Sequence, residues 1–68
     1  MEQESASGTQ AVERMLKVLE VVGSTADGAE VASIAAALGL SQSTTYRLVG
    51  VLQRQGYLLR RSQEPRYV

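Results

Sequence analysis

Apolar positions recur with helical spacing in the first third of the chain. Between Thr9 and Gly23 they fall three or four residues apart, which is typical of one face of an amphipathic helix. These positions are Val12, Met15, Leu16, Leu19 and Val22. A threonine hydroxyl commonly caps a helix start and a glycine commonly ends a helix. The pattern therefore predicts a first helix from Thr9 to Gly23, with Val18 and Val21 beside its main apolar stripe.

Two polar segments flank this helix. Residues 1–8 contain Glu, Gln, Ser, Ala and Gly without any apolar period, which predicts a disordered tail. Residues 23–30 lie between glycines and predict a loop. A chain of 68 residues can form one small core. We therefore expect a single domain over residues 9–68.

Two more helices are predicted after the loop, separated by a glycine turn. Residues 31–38 form the shorter one, with Val31, Ile34, Ala35 and Leu38 on one side. After the turn at Gly39, Ser41 is a good cap for a third helix over residues 42–55, and Gly56 stops it in a left-handed conformation. The third helix directs Thr45, Leu48, Val49 and Leu52 to the core.

The last segment has the pattern of a β-hairpin. Residues 57–61 predict a strand, residues 62–65 a turn, and residues 66–68 the start of a returning strand. The predicted fold class is mainly α with a small β-hairpin: three helices plus a wing.

Composition argues against catalysis. The chain has no cysteine and no histidine, so disulfides, the usual zinc sites and the commonest general base are missing. No glycine-rich phosphate loop is visible. Glu13 and Glu20 lie two turns apart on one helix, a spacing more typical of solvated charges than of an acid–base pair. We expect no enzyme, no catalytic residue, no cofactor and no metal.

The segments of the sequence also give expectations about location. No apolar run approaches the roughly 18 residues that a membrane span needs. The acidic first residues are unlike a secretory signal. These features predict a soluble cytoplasmic protein without a membrane partner.

Charge is divided unevenly along a chain whose formal net charge is zero. Residues 1–30 carry two basic and six acidic residues, a net charge of −4. Residues 31–68 carry five arginines and one glutamate, a net charge of +4. Arginine forks onto phosphate and guanine. The uneven charge indicates a cationic end suited to nucleic acid, although small domains also segregate charge by chance.

The outward face of the third helix carries the candidate chemistry. It gathers Ser43, Tyr46, Arg47, Gly50 and Arg54, with Gln42 and Thr44 at its margins. In a major groove, arginine can fork onto guanine and glutamine onto adenine. Serine and tyrosine hydroxyls can hold phosphate oxygens. The alternative interpretation is that this face is an ordinary solvated surface and that Gly50 is merely tolerated in the helix.

These residues bear a family resemblance. Ala35, Gly39, Leu40 and Leu48 resemble the helix-turn-helix signature. The run over residues 39–49, followed by Leu52, Gly56-Tyr57 and Arg66-Tyr67, resembles the amino-terminal winged-helix domain of IclR-type transcriptional regulators. The likeness covers about residues 10–68. Two positions depart from the family: Thr45 is commonly Val or Ile there, and Tyr46 is often His, so base preference cannot be transferred.

The resemblance implies a sequence-specific DNA-binding domain. Its recognition helix enters the major groove of operator DNA and its wing contacts the backbone or minor groove. The resemblance places Gln42, Ser43, Thr44, Tyr46 and Arg47 at the groove, and Arg60, Arg61 and Arg66 near phosphates. With Ser41 at the helix start and Arg54 on the same outward face, these are the predicted DNA-binding residues.

The resemblance also implies that the protein binds DNA as a homodimer. A DNA-binding protein of this kind is expected at the nucleoid, in the cytoplasm. We expect contact through the first helix, at Val18 and Val21, and through the tail before it. A small-molecule effector is expected to act only through a carboxy-terminal domain that these 68 residues lack. A different function is a winged helix used for protein contact, although such surfaces tend to replace cationic residues with apolar or acidic ones.

Overall fold

Three helices form most of the chain in the computed structural model, which describes residues 2–61 and 66–68, with side chains from residue 8 onward. They are α1 (Glu2–Gly23), α2 (Val31–Leu38) and α3 (Gln42–Arg54). Each helix packs against the other two. Two short strands, β1 (Ala29–Glu30) and β2 (Arg66–Tyr67), form an antiparallel sheet. The predicted fold class is confirmed.

The first helix starts earlier than its sequence pattern predicted. It begins at Glu2, so Thr9 lies inside the helix and does not cap it. Residues 2–7 include Glu, Gln and Ala, which favour helix, and acidic residues are favourable near a helix N-terminus. The division of the chain into a tail over 1–8 and a domain over 9–68 stays a prediction.

The buried face of α1 overlaps the predicted stripe only in part: Val22 is buried and Met15 and Leu19 pack against the core, as predicted. Val18 is fully buried and Val22 nearly so, whereas Val12 and Leu16 are 56% and 54% exposed. At 100° per residue, the core side of α1 lies about 60° from the predicted stripe. The prediction that Val18 contacts a second copy is wrong, because this side chain is enclosed by the molecule's own core.

Both remaining helices end on a left-handed glycine, as predicted. Gly39 directly follows α2 with φ 69°, and Gly56, with φ 88°, lies one residue beyond the Gln55 cap of α3. At each end the next residue donates its N–H to a carbonyl five residues back: Leu40 to Ala35 at 3.0 Å and Tyr57 to Leu52 at 2.8 Å. This bonding satisfies carbonyls that a helix end leaves without partners.

The wing joins three stretches of chain. Leu59 and Val68 exchange two backbone hydrogen bonds of 2.9 Å, and Arg60 pairs with Tyr67. Across β2, β1 continues the sheet by pairing Ala29 with Tyr67. Of the predicted hairpin, the returning strand is present as β2, whereas residues 57–61 form an isolated bridge and backbone hydrogen bonds to it but no regular strand. The sequence missed β1, which lies in the predicted loop, and the predicted turn over 62–65 lies outside the described residues.

The core lies between the helices and the wing. From α3 it takes Thr45, Val49 and Leu52, with Leu48 at its edge, as predicted. The wing contributes Leu58 and Tyr67, which are 2% and 7% exposed. The buried hydrophobic residues packed together are Val18, Val22, Ala29, Val31, Ile34, Val49, Leu52, Leu58 and Tyr67. Helices and sheet are thus held by a single core.

Candidate nucleic-acid interface

One side of α3 is held by the core, and this fixes what its other side presents. Thr45, Val49 and Leu52 are buried against α1 and α2. Because these residues recur every three or four positions, the opposite side of the helix faces solvent. Exposed there are Gln42, Ser43, Tyr46, Arg47 and Arg54, while Thr44 and Gly50 are half-buried. The structure thus gathers all the α3 residues that the sequence predicted for the site.

The hydroxyl of Ser41 stabilises the start of α3. Its Oγ accepts the backbone N–H of Thr44 at 3.2 Å and lies 3.0 Å from the Thr44 hydroxyl oxygen. Ser43 Oγ lies 3.4 Å away. These bonds satisfy a free N–H of the first helical turn. A contact between Ser41 and a ligand must therefore compete with the cap.

Thr45 is buried without an unsatisfied group. The side chain is fully enclosed, and its Oγ1 donates to the Ser41 carbonyl oxygen at 2.9 Å. The same carbonyl accepts the Thr45 N–H at 3.1 Å. A hydroxyl in this core position thus costs little, because burial is expensive only for a polar group without a partner.

A shallow groove crosses the exposed face of α3. It has a volume of about 370 Å³ and is lined by Tyr46, Arg47, Gly50, Val51 and Arg54. Tyr46 is 56% exposed. The two arginines are the charged residues of α3, which contains no acidic residue. The groove is therefore cationic and partly apolar.

The arginines of the wing differ in what they contact. Arg60 is exposed. Arg61 donates to the Asp27 carbonyl at 3.3 Å, and Arg66 donates to the Gly28 carbonyl at 3.4 Å. Arg66 also lies 3.8 Å from the carboxylate of Glu30. These contacts tie two of the three predicted wing residues to the segment that precedes α2.

Gly28 is a structural residue of the wing that the sequence did not single out. Its φ is 92°, and a Cβ atom there would lie 2.8 Å from both the Tyr67 carbonyl oxygen and a methyl group of Val68. Side chains other than hydrogen cannot fit so close to backbone. The only local signal was a glycine in a polar loop, which does not reveal a strand packed against it.

The described residues contain neither a candidate membrane span nor a candidate metal site. No described helix is both long and apolar enough to span a membrane. Within residues 2–61 and 66–68, no group of three or more acidic, His or Cys residues could hold a metal ion.

The arrangement defines a winged helix-turn-helix: α2, the Gly39 turn and α3 form the helix-turn-helix, and the sheet beside them forms the wing. Residues 11–62 match the family model of the IclR helix-turn-helix domain. The chain belongs to this family of transcriptional regulators, which implies DNA binding. The helix-turn-helix domain of this family is not an enzyme, so the prediction of no enzyme is confirmed.

A relative supports the same assignment. The chain is 36% identical over 58 residues to a Haemophilus influenzae protein described as an uncharacterized HTH-type transcriptional regulator. The match covers 85% of this chain and 22% of that relative. The chain thus spans about a fifth of the relative's length. No solved structure matches the chain.

Proposed function

We propose that the chain is the sequence-specific DNA-binding domain of an IclR-type regulator, with α3 lying in the major groove of operator DNA. The exposed face of α3 supports this proposal, because it combines two arginines, an amide and several hydroxyls on a helix supported from behind by the core. Arginine and amide side chains read base edges, and hydroxyls hold phosphate oxygens.

Within this proposal the α3 residues divide by chemistry. Arg47 forks onto guanine and Gln42 onto adenine. Ser43, Thr44 and Tyr46 hold the helix in register through phosphates or bases, and Arg54 binds backbone. Ser41 contributes mainly by capping the helix, because its hydroxyl already has partners.

The wing takes a supporting role in the proposal. Arg60 is exposed and binds the backbone or the minor groove. Arg61 and Arg66 brace the wing against residues 27–30 and add positive charge near the phosphates. Long-range attraction of this kind needs no direct contact, but it weakens as salt is added.

Substitution of two arginines tests the division between base reading and backbone contact. The operator is first selected from random duplexes by the purified domain. Arg47→Ala is expected to abolish the preference for the selected operator over a scrambled duplex. Arg60→Ala is expected to weaken both duplexes by a similar factor and to lower the slope of log affinity against log salt by about 0.9. Fluorescence anisotropy measures both. Equal loss on both duplexes for Arg47→Ala would contradict base reading by Arg47.

The alternative function is a winged helix that binds another protein and not DNA. Wild-type protein is titrated with mixed genomic DNA, starting at low salt, where phosphate contacts are strongest. Binding that weakens steeply with salt supports the DNA-binding proposal. An absence of binding at every salt concentration would favour a protein-interaction module.

The proposal includes a homodimer through α1, but at a different surface of this helix from the predicted one, because Val18 is buried in the core of the monomer. Val12 and Leu16 are exposed apolar side chains one turn apart, and Glu13, Lys17 and Glu20 lie beside Leu16 around a shallow groove. In an antiparallel pair of α1 helices, Glu13 of one copy can face Lys17 of the other. This self-complementary charge suits a two-fold contact. Paired domains would bind half-sites about 34 Å apart.

The remaining parts of the proposal concern the whole regulator. We infer that it acts at the nucleoid in the cytoplasm. We also infer, from the family resemblance, that a small-molecule effector acts on the whole regulator through a carboxy-terminal domain outside these residues.

A further inference from the structure

The groove on α3 is lined in part by a glycine in the interior of the helix. This glycine is Gly50, and its φ is not in the left-handed region, so any residue can adopt this backbone conformation. A Cβ atom at Gly50 would lie 3.5 Å from Nη1 of Arg54, which is ordinary van der Waals contact. Alanine would therefore fit without strain, and glycine in a helix interior is less stable than alanine. The backbone of the monomer gives no reason for glycine here.

The guanidinium of Arg54 lies close to Gly50, at van der Waals distance from the position of a Cβ atom there, although the side chain is exposed overall. Arg47 lines the same groove. Two guanidinium groups without a carboxylate in the lining attract an anion.

The shape of the groove indicates what kind of anion fits. Sites for small ligands enclose most of the ligand surface. This groove is open to solvent and runs across an exposed helix, so it suits a stretch of an extended polyanion. Its walls combine the guanidinium groups with the ring of Tyr46 and the methyl groups of Val51. A sugar–phosphate unit has matching chemistry, with an anionic phosphate and a largely apolar sugar face.

We propose that the groove across Gly50 receives one sugar–phosphate unit of the DNA backbone, with Arg54 bonded to its phosphate and Gly50 allowing the close approach. The inference rests on the proposed DNA-binding function. It assigns to Gly50 a role in affinity that is independent of base sequence. It also predicts that stability and binding respond in opposite directions when a side chain is added at this position.

The test compares Gly50→Ala and Gly50→Leu with wild type and with Gly8→Ala. Gly8 is a helical glycine on α1 with nothing within 4 Å of the added Cβ atom, so it provides the same chemical change away from α3. Thermal unfolding and anisotropy with a random-sequence duplex at several salt concentrations are measured for each. Gly50→Ala is expected to raise the unfolding midpoint by about 4–8 °C.

Binding is expected to weaken with the size of the added side chain. Gly50→Leu should lose tenfold or more in affinity, since losing one charged hydrogen bond costs about tenfold to a hundredfold. The salt slope should fall by about 0.9. Arg54→Ala in the Gly50→Leu background should add little, because both changes remove the same contact. Gly8→Ala should bind like wild type.

Each other result overturns the inference. If both Gly50 variants bind like wild type, the groove is not a DNA contact, while the proposed function survives. If wild type binds no duplex at low salt, the proposed function fails and the inference fails with it. If inorganic phosphate at micromolar concentration shifts the amide resonances of Gly50 and Arg54 as strongly as DNA does, the groove is a small-anion site.

Discussion

Gly28 shows how one residue can decide the position of a whole element. It lies where the loop after α1 meets the end of β2, and it leaves no space for a Cβ atom. Its neighbours Ala29 and Glu30 pair with β2, and its carbonyl accepts the Arg66 guanidinium. The wing can approach the helices this closely only because the residue at the junction has no side chain.

Substitution of Gly28 is expected to destabilise the domain more than a change in backbone preference can explain. Gly28→Ala combines an unfavourable φ, worth about 1–2 kcal/mol, with contacts of 2.8 Å to backbone and a methyl group. We expect a loss above about 3 kcal/mol in urea unfolding. Gly39→Ala is the control, since Gly39 also has a positive φ but has open space around it. Equal losses for the two variants would show that packing at Gly28 contributes nothing.

At the scale of elements, α2 and α3 could be predicted from the sequence and α1 only in part. The ends of α2 and α3 depend on Ser41, Gly39 and Gly56. Each of these residues acts within one helical turn, so the helix ends can be predicted from the local sequence. The apolar residues of α1 occupy more than one side, and periodicity alone cannot tell which side meets the core. β1 has two residues, and their partners in β2 lie 38 and 36 positions further along the chain, so no local pattern reveals it.

The candidate site was predictable for the same reason as α3 itself. A helix with one apolar side must expose the other, so the residues of the α3 face follow from the sequence. The contacts of Arg61 and Arg66 could not be predicted, because their acceptors at Asp27 and Gly28 are more than 30 residues away. Which of these residues touch DNA stays a prediction.

The start of α3 is expected to depend on Ser41 more than on the hydroxyl of Thr45. Ser41→Ala removes the acceptor for the Thr44 N–H and should cost about 1 kcal/mol. Thr45→Val keeps the buried volume and leaves the Ser41 carbonyl bonded to a backbone N–H, so its effect should stay within about 1 kcal/mol. Urea unfolding measures both. A larger loss for Thr45→Val than for Ser41→Ala would contradict this ranking.

At the scale of the whole molecule, α1 presents an apolar surface that the domain does not cover. Val12 and Leu16 lie outside the core, on the same helix whose other side packs against α2 and α3. A second copy bound there would leave the groove on α3 open, since the two surfaces share no residue. A dimer contact at this surface would therefore not use the α3 residues proposed to bind DNA.

Leu16→Glu is expected to prevent self-association without unfolding the domain. Leu16 is 54% exposed, so the charge remains solvated in the monomer but lies in the apolar centre of the proposed dimer. Sedimentation at increasing concentration should show wild type associating and Leu16→Glu remaining monomeric. Leu59→Glu, at a 68% exposed position on the wing, is the matched control and should associate like wild type. Monomeric wild type at high concentration would remove the proposal for this chain.

The continuity of β1 with α2 has a mechanical consequence. Glu30, the last residue of β1, is followed directly by Val31, the first residue of α2. No linker residue therefore separates the sheet from the helix that packs against α3. Any displacement of the wing toward or away from a bound duplex must therefore also displace the first turn of α2. If α3 and the wing both contact DNA as proposed, the direct junction would transmit force between them, and slower or faster amide exchange in the first turn of α2 on DNA binding would reveal it.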